Sequence, residues 1–269
     1  MATKIREITI GTDPEFIMVD KYGQILDAED ISFIDRNTAF GSDTEGIFEV
    51  RSAYSHNTIH VVDDIRDILQ KAYDTLDGVR GYKWMAGHYP HDYALGGHIH
   101  IGRIVSEGHD TNRLVDCLAY YLIDGLSNLI DDKEQRQKRR TRTGYGGRTN
   151  FRLCNVQRDP YALEYRDICK RVEYRAPGSF LISPEVTFLN LVLAKVASMW
   201  YFYNDGRNCI SRTKRSPKDI IYKALGIMEH TIFMDEEDVA LCQEILPKYI
   251  NDNIKIDWTK DFKLNWRIR

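Results

Sequence analysis

A chain of 269 residues with 43% hydrophobic and 11% aromatic content can bury a sizeable core and lies near the upper limit for one domain. Its 37 basic and 40 acidic residues leave a net charge of −3, which excludes a global positive field able to hold nucleic acid without sequence preference. The five cysteines, Cys117, Cys154, Cys169, Cys209 and Cys242, are odd in number and lack a CxxC pair; this argues against a zinc knuckle or disulfide framework and fits a reducing cytoplasm.

In chain order, short β-rich runs at Ile5 to Ile10, Glu15 to Asp20, Gln24 to Ala28 and Ile47 to Ala53 alternate with turn residues, which predicts hairpins. Asp13-Pro14 reads as a turn before the second run, so Glu15 carries more functional weight than Asp13. From Asn57 to Leu76, apolar residues at Ile59, Val62, Ile65, Ile68, Leu69, Ala72 and Leu76 form one face of a helix. Strands are predicted at Lys83 to Ala86 and Gly97 to Gly102, then a helix near Asp110 to Ile130.

The charge-rich stretch Asp131 to Arg152 reads as one long functional loop, followed by strands at Phe151 to Val156 and Arg171 to Ala176. A third helix starts at Ser183 with Pro184 in its first turn, and the tail after Ser211 reads as short helices and loops. Phe188 to Tyr203 is the most apolar stretch, but Asn190 and Lys195 interrupt it, and MATKIREITI has no apolar core of signal-peptide length. The expectation is a soluble α+β protein, one domain over residues 1–269, with helices packed on the outer face of an open antiparallel sheet.

The chemistry lies in polar pairs at strand spacing, because residues two apart on a strand share a face. These pairs are Asp13 and Glu15, Glu49 and Arg51, His98 and His100, and Glu173 and Arg175. The intervening Val50, Ile99 and Tyr174 point the other way, toward the helices. A lone Glu-x-Arg is more often a surface ion pair worth roughly 0–1 kcal/mol. Two such pairs beside a His-x-His flanked by Gly96, Gly97 and Gly102 shift the balance to a site. Carboxylates there suit magnesium or manganese, and arginines grip phosphate oxygens as a planar fork. Lys138 to Arg148 adds clustered guanidiniums with glycines, a combination suited to polyphosphate, although it has neither Walker nor Rossmann spacing.

Taken in order, DPEF, FGSDTEGIFEVR, GGHIHIG, the Arg-rich GYGG stretch and EYRAPGSF resemble the phage-type amidoligases of the carboxylate-amine ligase superfamily, which includes glutamine synthetase and glutamate-cysteine ligase. The resemblance runs from Gly11 to Phe180, with residues 183–269 a compatible helical part. It implies a curved antiparallel sheet forming half a barrel, ATP at one end, and Mg2+ (or Mn2+) ions between nucleotide and substrate.

Carried over by position, Glu15, Glu49, Glu173 and His98 resemble the metal ligands, with His98 or His100 completing the metal and nucleotide site. Arg140 and Arg175 resemble phosphate binders, Arg142 and Arg148 extend the nucleotide-binding set, and Arg51 and Arg152 hold either phosphate or the substrate carboxylate. Arg175, Arg51 and His100 form the expected catalytic set, with Asp43 and Glu45 as lesser candidates.

A carboxylate is a poor acyl donor, so the implied reaction uses ATP to form an acyl phosphate that an amine then attacks. A carboxylate or His100 takes the amine proton, and the residues do not choose between them. The expected partners are small-molecule or peptide carboxylate and amine substrates, with no membrane or nucleic acid. Two other classes fit parts of the pattern: a metal-dependent hydrolase or nuclease using the histidines and carboxylates, and an inert nucleotide- or RNA-binding module using Lys138 to Arg148. Substrate identity and oligomeric state have no local signature.

Overall fold

Strand β1 (Thr9–Val19) sorts its side chains by alternation: Ile10, Phe16 and Met18 enter the main core, whereas Gly11, Asp13 and Glu15 lie on the opposite face. The structure, a computed structural model, describes residues 8–31, 38–44, 46–76, 78–102, 111–141, 165–168, 171–204, 215–230, 234–251 and 254–269. Among these, seven strands form one antiparallel sheet: β1, β2 (Phe40–Ser42), β3 (Phe48–Val50), β4 (Lys83–Met85), β5 (Gly97–Gly102), β6 (Tyr165–Ile168) and β7 (Arg171–Tyr174). The order is β2-β3-β1-β5-β7-β6, with β4 also paired to β1.

Asp13 and Pro14 lie inside β1 rather than in a turn. Proline cannot donate to a ladder, and β1 changes partners at this point: residues 9–14 register with β5, 15–16 with β3, and 17–19 with β4. Beyond the change, Ile17 and Val19 share the Glu15 face and form a second small core with Met85 and Leu95. This seals one end of the polar face.

Helix α1 (Thr58–Thr75) starts where Asn57 Oδ1 accepts the Ile59 and His60 N–H groups, and it buries Val61, Ile65, Leu69 and Ala72. Residues 111–130 form a helical run, α2, with a π-helical stretch at Ala119–Ser127. Helix α3 (Lys133–Thr141) occupies the first part of the region expected to be one loop. Its sequence KEQRQKRRT has no apolar period, and the start signal is Asp132, whose Oδ1 accepts the Glu134 and Gln135 N–H groups.

Helix α4 (Pro184–Tyr203), capped by Ser183, is long and apolar enough to cross a membrane, but 89% of that stretch is buried inside the protein. It forms the centre of the layer behind the sheet. Helices α5 (Pro217–His230) and α6 (Glu236–Asn251) are longer than the short tail helices expected, and α7 (Lys263–Trp266) closes the described chain. Of the expected strands, Gln24 to Ala28 contributes only a bridge between Ile25 and Val19, and Phe151 to Val156 lies outside the described residues.

Behind the sheet, Lys195 on α4 is 2% exposed. Its ammonium donates to the His56 carbonyl, to Asp235 at 2.6 Å and to Asp238 at 3.0 Å. Asp238 also accepts the Thr58 and Ile59 N–H groups. One buried charge thereby ties α4, α6 and the start of α1 together.

Candidate metal and ligand site on the open sheet face

Register brings the polar residues into rows across the strands. Thr9, Gly102 and Arg171 align in one row; Gly11, His100 and Glu173 in the next; Asp13 and His98 in the third; Glu15, Glu49 and Gly41 in the fourth. The cross-strand neighbours Ile99, Tyr174 and Val172 are buried on the helix side. The face is therefore polar by alternation.

At its middle, Asp13, Glu49 and His98 each offer a ligand atom, all within 4.8 Å of one another. His98 Nδ1 lies 3.4 Å from Asp13 Oδ1 and 3.7 Å from Glu173 Oε1, and His98 Nε2 lies 3.6 Å from Glu15 Oε1. His100 Nε2 reaches Asp13 Oδ1 at 2.8 Å. Glu15 Oε2 accepts the Gly96 N–H at 2.6 Å, which fixes that carboxylate against the turn into β5. His98, His100, Glu15, Glu49 and Glu173 are all buried.

Burying so many carboxylates costs heavily unless positive charge is supplied. Burial works against a charged His98, yet the Glu15 carboxylate and the hydrogen bond and charge of Asp13 lift its imidazole to about 9. Glu49 is pushed up to about 8 by burial and by the charge of Asp13, against Arg51 and His98. Glu15 is raised by burial, against His98 and the Gly96 N–H. Burial would also raise Asp13, but hydrogen bonds from His100 and His98 outweigh it and hold the carboxyl below its ordinary range. A proton or a cation has to sit among these groups.

The donor set suits a hard divalent cation. Asp13 and Glu49 supply oxygens, and His98, whose Nε2 is buried without a hydrogen bond, supplies an imidazole nitrogen. Glu15 and Glu173 stand beside this group, within reach of His98.

The arginines divide into two kinds. Arg175 is half-buried, with Nη1 3.1 Å from Glu173 Oε1, and it borders the metal group. Arg51 pairs with Glu49, and its guanidinium donates to the Thr38 and Ser42 carbonyls at 3.0 and 3.4 Å, so it braces β2 against β3 while facing the site. Arg140 lies in α3, but its side chain, with Arg142, Arg148, Arg152 and Glu45, is outside the described residues. Asp43 is exposed, at the end of β2.

The sequence reads Asp13 as a turn residue because Asp-Pro is a strong turn signal, whereas the structure places it inside β1, where the change of strand partner is not visible from the sequence. Arg139, read from the sequence as part of the guanidinium cluster Lys138 to Arg148, is 5% exposed on α3. Arg139 Nη1 donates to Ala176 O at 2.7 Å and Nη2 to Arg175 O at 3.2 Å, pinning the chain that carries Arg175. Arg171 was legible as the first member of Arg171, Glu173 and Arg175, one face of a strand. Tyr54, which packs over Gly11, had no sequence signal.

The family model described as Phage phiEco32-like COOH.NH2 ligase-type 2 matches residues 10–268. Among solved structures, the chain is similar to a bifunctional glutathione synthetase from Pasteurella multocida, with a TM-score of 0.55 and 10% sequence identity. That similarity covers 99% of this chain and 51% of the synthetase, so the chain spans about half the length of that enzyme, and the likeness is one of fold. No curated protein matches the chain.

Proposed function

Since this chain belongs to the phage phiEco32-like COOH.NH2 ligase-type 2 family, we propose that it is an ATP- and Mg2+-dependent enzyme that joins a carboxylate to an amine. The observation that carries the reading is the convergence of Asp13, Glu49 and His98 within 4.8 Å on an open sheet face rimmed by Arg175 and Arg51. A divalent cation bound there would neutralise phosphate oxygens and align them with the acceptor carboxylate. The named function of the glutathione synthetase whose fold is similar, a carboxylate-amine ligation, agrees with this reading.

The roles follow from position. Asp13, Glu49 and His98 hold the cation, with Glu15 and Glu173 as further carboxylates and Arg175 as the phosphate contact beside Glu173. The guanidinium fork of Arg175 stabilises charge on the transferring phosphoryl group, which makes an acyl phosphate accessible from a carboxylate. His100, bonded to Asp13, or one of the neighbouring carboxylates is proposed to accept the amine proton. Arg140, Arg142, Arg148 and Arg152 are proposed to hold the nucleotide polyphosphate. We read residues 1–269 as one catalytic unit on a half-barrel of the glutamine synthetase type, acting in the cytoplasm on small-molecule or peptide substrates.

The test is ATP binding by the purified protein with and without Mg2+, then phosphate release across a pool of carboxylates, amino acids and amines. Mg2+-dependent binding and a carboxylate-amine pair that stimulates release are expected. Absence of Mg2+-dependent ATP binding overturns the proposal, and metal-dependent hydrolysis that needs no ATP would favour a metal hydrolase.

A further inference from the structure

His88 is 3% exposed, and its Nε2 lies 2.7 Å from Asp131 Oδ2. Asp131 caps the C-terminal end of α2, where the helix dipole disfavours negative charge, and it is buried as well. Burial works to raise its carboxyl, but the charge and hydrogen bond of His88 outweigh it and hold the group below its ordinary range. What this carboxylate fixes is the plane of the His88 ring. The other imidazole nitrogen, Nδ1, is buried without a hydrogen bond among the described residues, so the bond to Asp131 is the one that orients the ring.

The ring is the seat of Gly178. A side chain there would meet His88 Cγ and Nδ1 at 2.6 Å and Cε1 at 2.8 Å, so the imidazole lies directly against the Gly178 backbone. That backbone is held by two others. Ser179 and Gly87 exchange bonds at 3.0 and 3.1 Å, the Gly97 N–H donates to the Pro177 carbonyl at 3.0 Å, and Gly178 bridges to Gly96. Gly96 in turn donates to Glu15 Oε2 at 2.6 Å, and its carbonyl accepts the Glu15 N–H at 2.9 Å. On the other side, Arg175 with its bond to Glu173 stands three residues before Gly178. In a close-packed junction, displacing His88 displaces Gly178 and, through it, both the amide that fixes Glu15 and the chain that carries Arg175.

We propose that His88, oriented by Asp131, is a positioning residue for the cation and phosphate site: it seats Gly178 so that Glu15 and Arg175 keep their places relative to each other. What the site binds rests on the ligase reading above, whereas the positioning is a property of the chain itself. The same contact joins the helices to the site from outside the sheet. Asp131 lies between α2 and α3, and Gln135 on α3 accepts the Tyr89 N–H next to His88 at 3.4 Å.

The experiment reads two quantities in the wild type and three variants: the Gly96 amide proton by NMR, which a 2.6 Å bond to a carboxylate places well downfield, and Mg-ATP affinity by calorimetry. His88→Ala removes the seat, and Gly178→Ala presses on it while leaving the bond to Asp131 in place. Both should move the Gly96 proton upfield and weaken Mg-ATP by about tenfold or more in folded protein, the low end of what outer-shell changes cost a metal site. His88→Gln, whose amide N–H takes the place of Nε2 toward Asp131, should hold both readings near the wild type, with Mg-ATP within about twofold. An unmoved Gly96 proton, or Mg-ATP affinity unchanged, in folded His88→Ala overturns the proposal and leaves the pair a contributor to stability alone. If His88→Ala does not fold, the same result in Gly178→Ala overturns it. His88→Gln as impaired as His88→Ala would overturn the part given to Asp131. Failure of the wild type to bind Mg-ATP marks the separate failure of the ligase reading, and the Gly96 proton then decides the positioning by itself.

Discussion

His100 Nε2 lies 2.8 Å from Asp13 Oδ1, a bond between strands that ties the polar face of β5 to the carboxylate at the centre of the site. Asp13 also holds the charge on His98. Asp13→Asn keeps the shape and removes the charge, so two effects should appear together. Mg2+-dependent nucleotide binding should weaken by about 100-fold or more, the upper end of what even outer-shell changes cost a metal site. The His98 pKa, read by NMR titration, should fall from about 9. Unchanged Mg2+ affinity with a shifted histidine would remove Asp13 from the ligand set.

The raised values at Glu49, about 8, and His98, about 9, set the pH dependence of cation binding. A cation must displace these protons, so Mg2+ affinity should rise from pH 6 to pH 9, and binding should release protons, measurable by calorimetry in buffers of different ionisation enthalpy. The linkage has the same sign for both groups. Each holds its proton more tightly in the folded than in the unfolded chain, so its contribution is present at low pH and is lost as pH rises through the folded values of about 8 and 9. The gain in Tm from added Mg2+ should therefore be larger at pH 9 than at pH 6, and a pH-independent gain would contradict the assignment.

Much of this site was legible because period-two alternation is a local property. Glu49, His98, His100 and Glu173 each lie on the polar side of their strand by spacing alone, and the register aligns them with Glu15, Asp13 and Gly11 across the sheet. Asp13 was not legible in this way. Its place in β1 depends on the exchange of partners from β5 to β3 and β4, a property of three other strands. Helix α3 was hidden for a different reason: a helix packed through a buried arginine has no apolar stripe to announce it. Strand β2 is three residues long and is held by pairing with β3, with the Arg51 bonds to Thr38 and Ser42 fastening its two ends.

Arg139 acts through Arg175. Its fork holds the Ala176 and Arg175 carbonyls, and its charge opposes the raised Glu15. Lysine at this position keeps a charge but cannot span two carbonyls. Arg139→Lys should lower kcat with little change in substrate KM, by roughly ten- to hundredfold if one hydrogen bond to a charged group, about 1.5–3 kcal/mol, is lost from a positioning contact. A purely structural role would appear instead as a lowered Tm with normal kcat per folded molecule, so denaturation and kinetics measured on the same preparation separate the two.

Lys195 presents the reverse case, a buried charge far from the sheet face. Asp238 is fully buried and accepts from the Lys195 ammonium and from the Thr58 and Ile59 N–H groups, so removing the lysine leaves a carboxylate with amide partners but no counter-charge. Removing one partner of such a pair costs about 3–5 kcal/mol, a large share of a typical 5–15 kcal/mol stability. Lys195→Met should therefore lower the denaturant midpoint strongly. Lys195→Met combined with Asp238→Asn should recover part of the loss, because the asparagine oxygen still accepts one of the two α1 amides without a buried charge. Since Asp235 is the more exposed of the two partners, Asp235→Asn alone should cost much less. Equal costs for the two aspartate variants in equilibrium unfolding would show that the charge on Asp238 is not what the buried lysine answers.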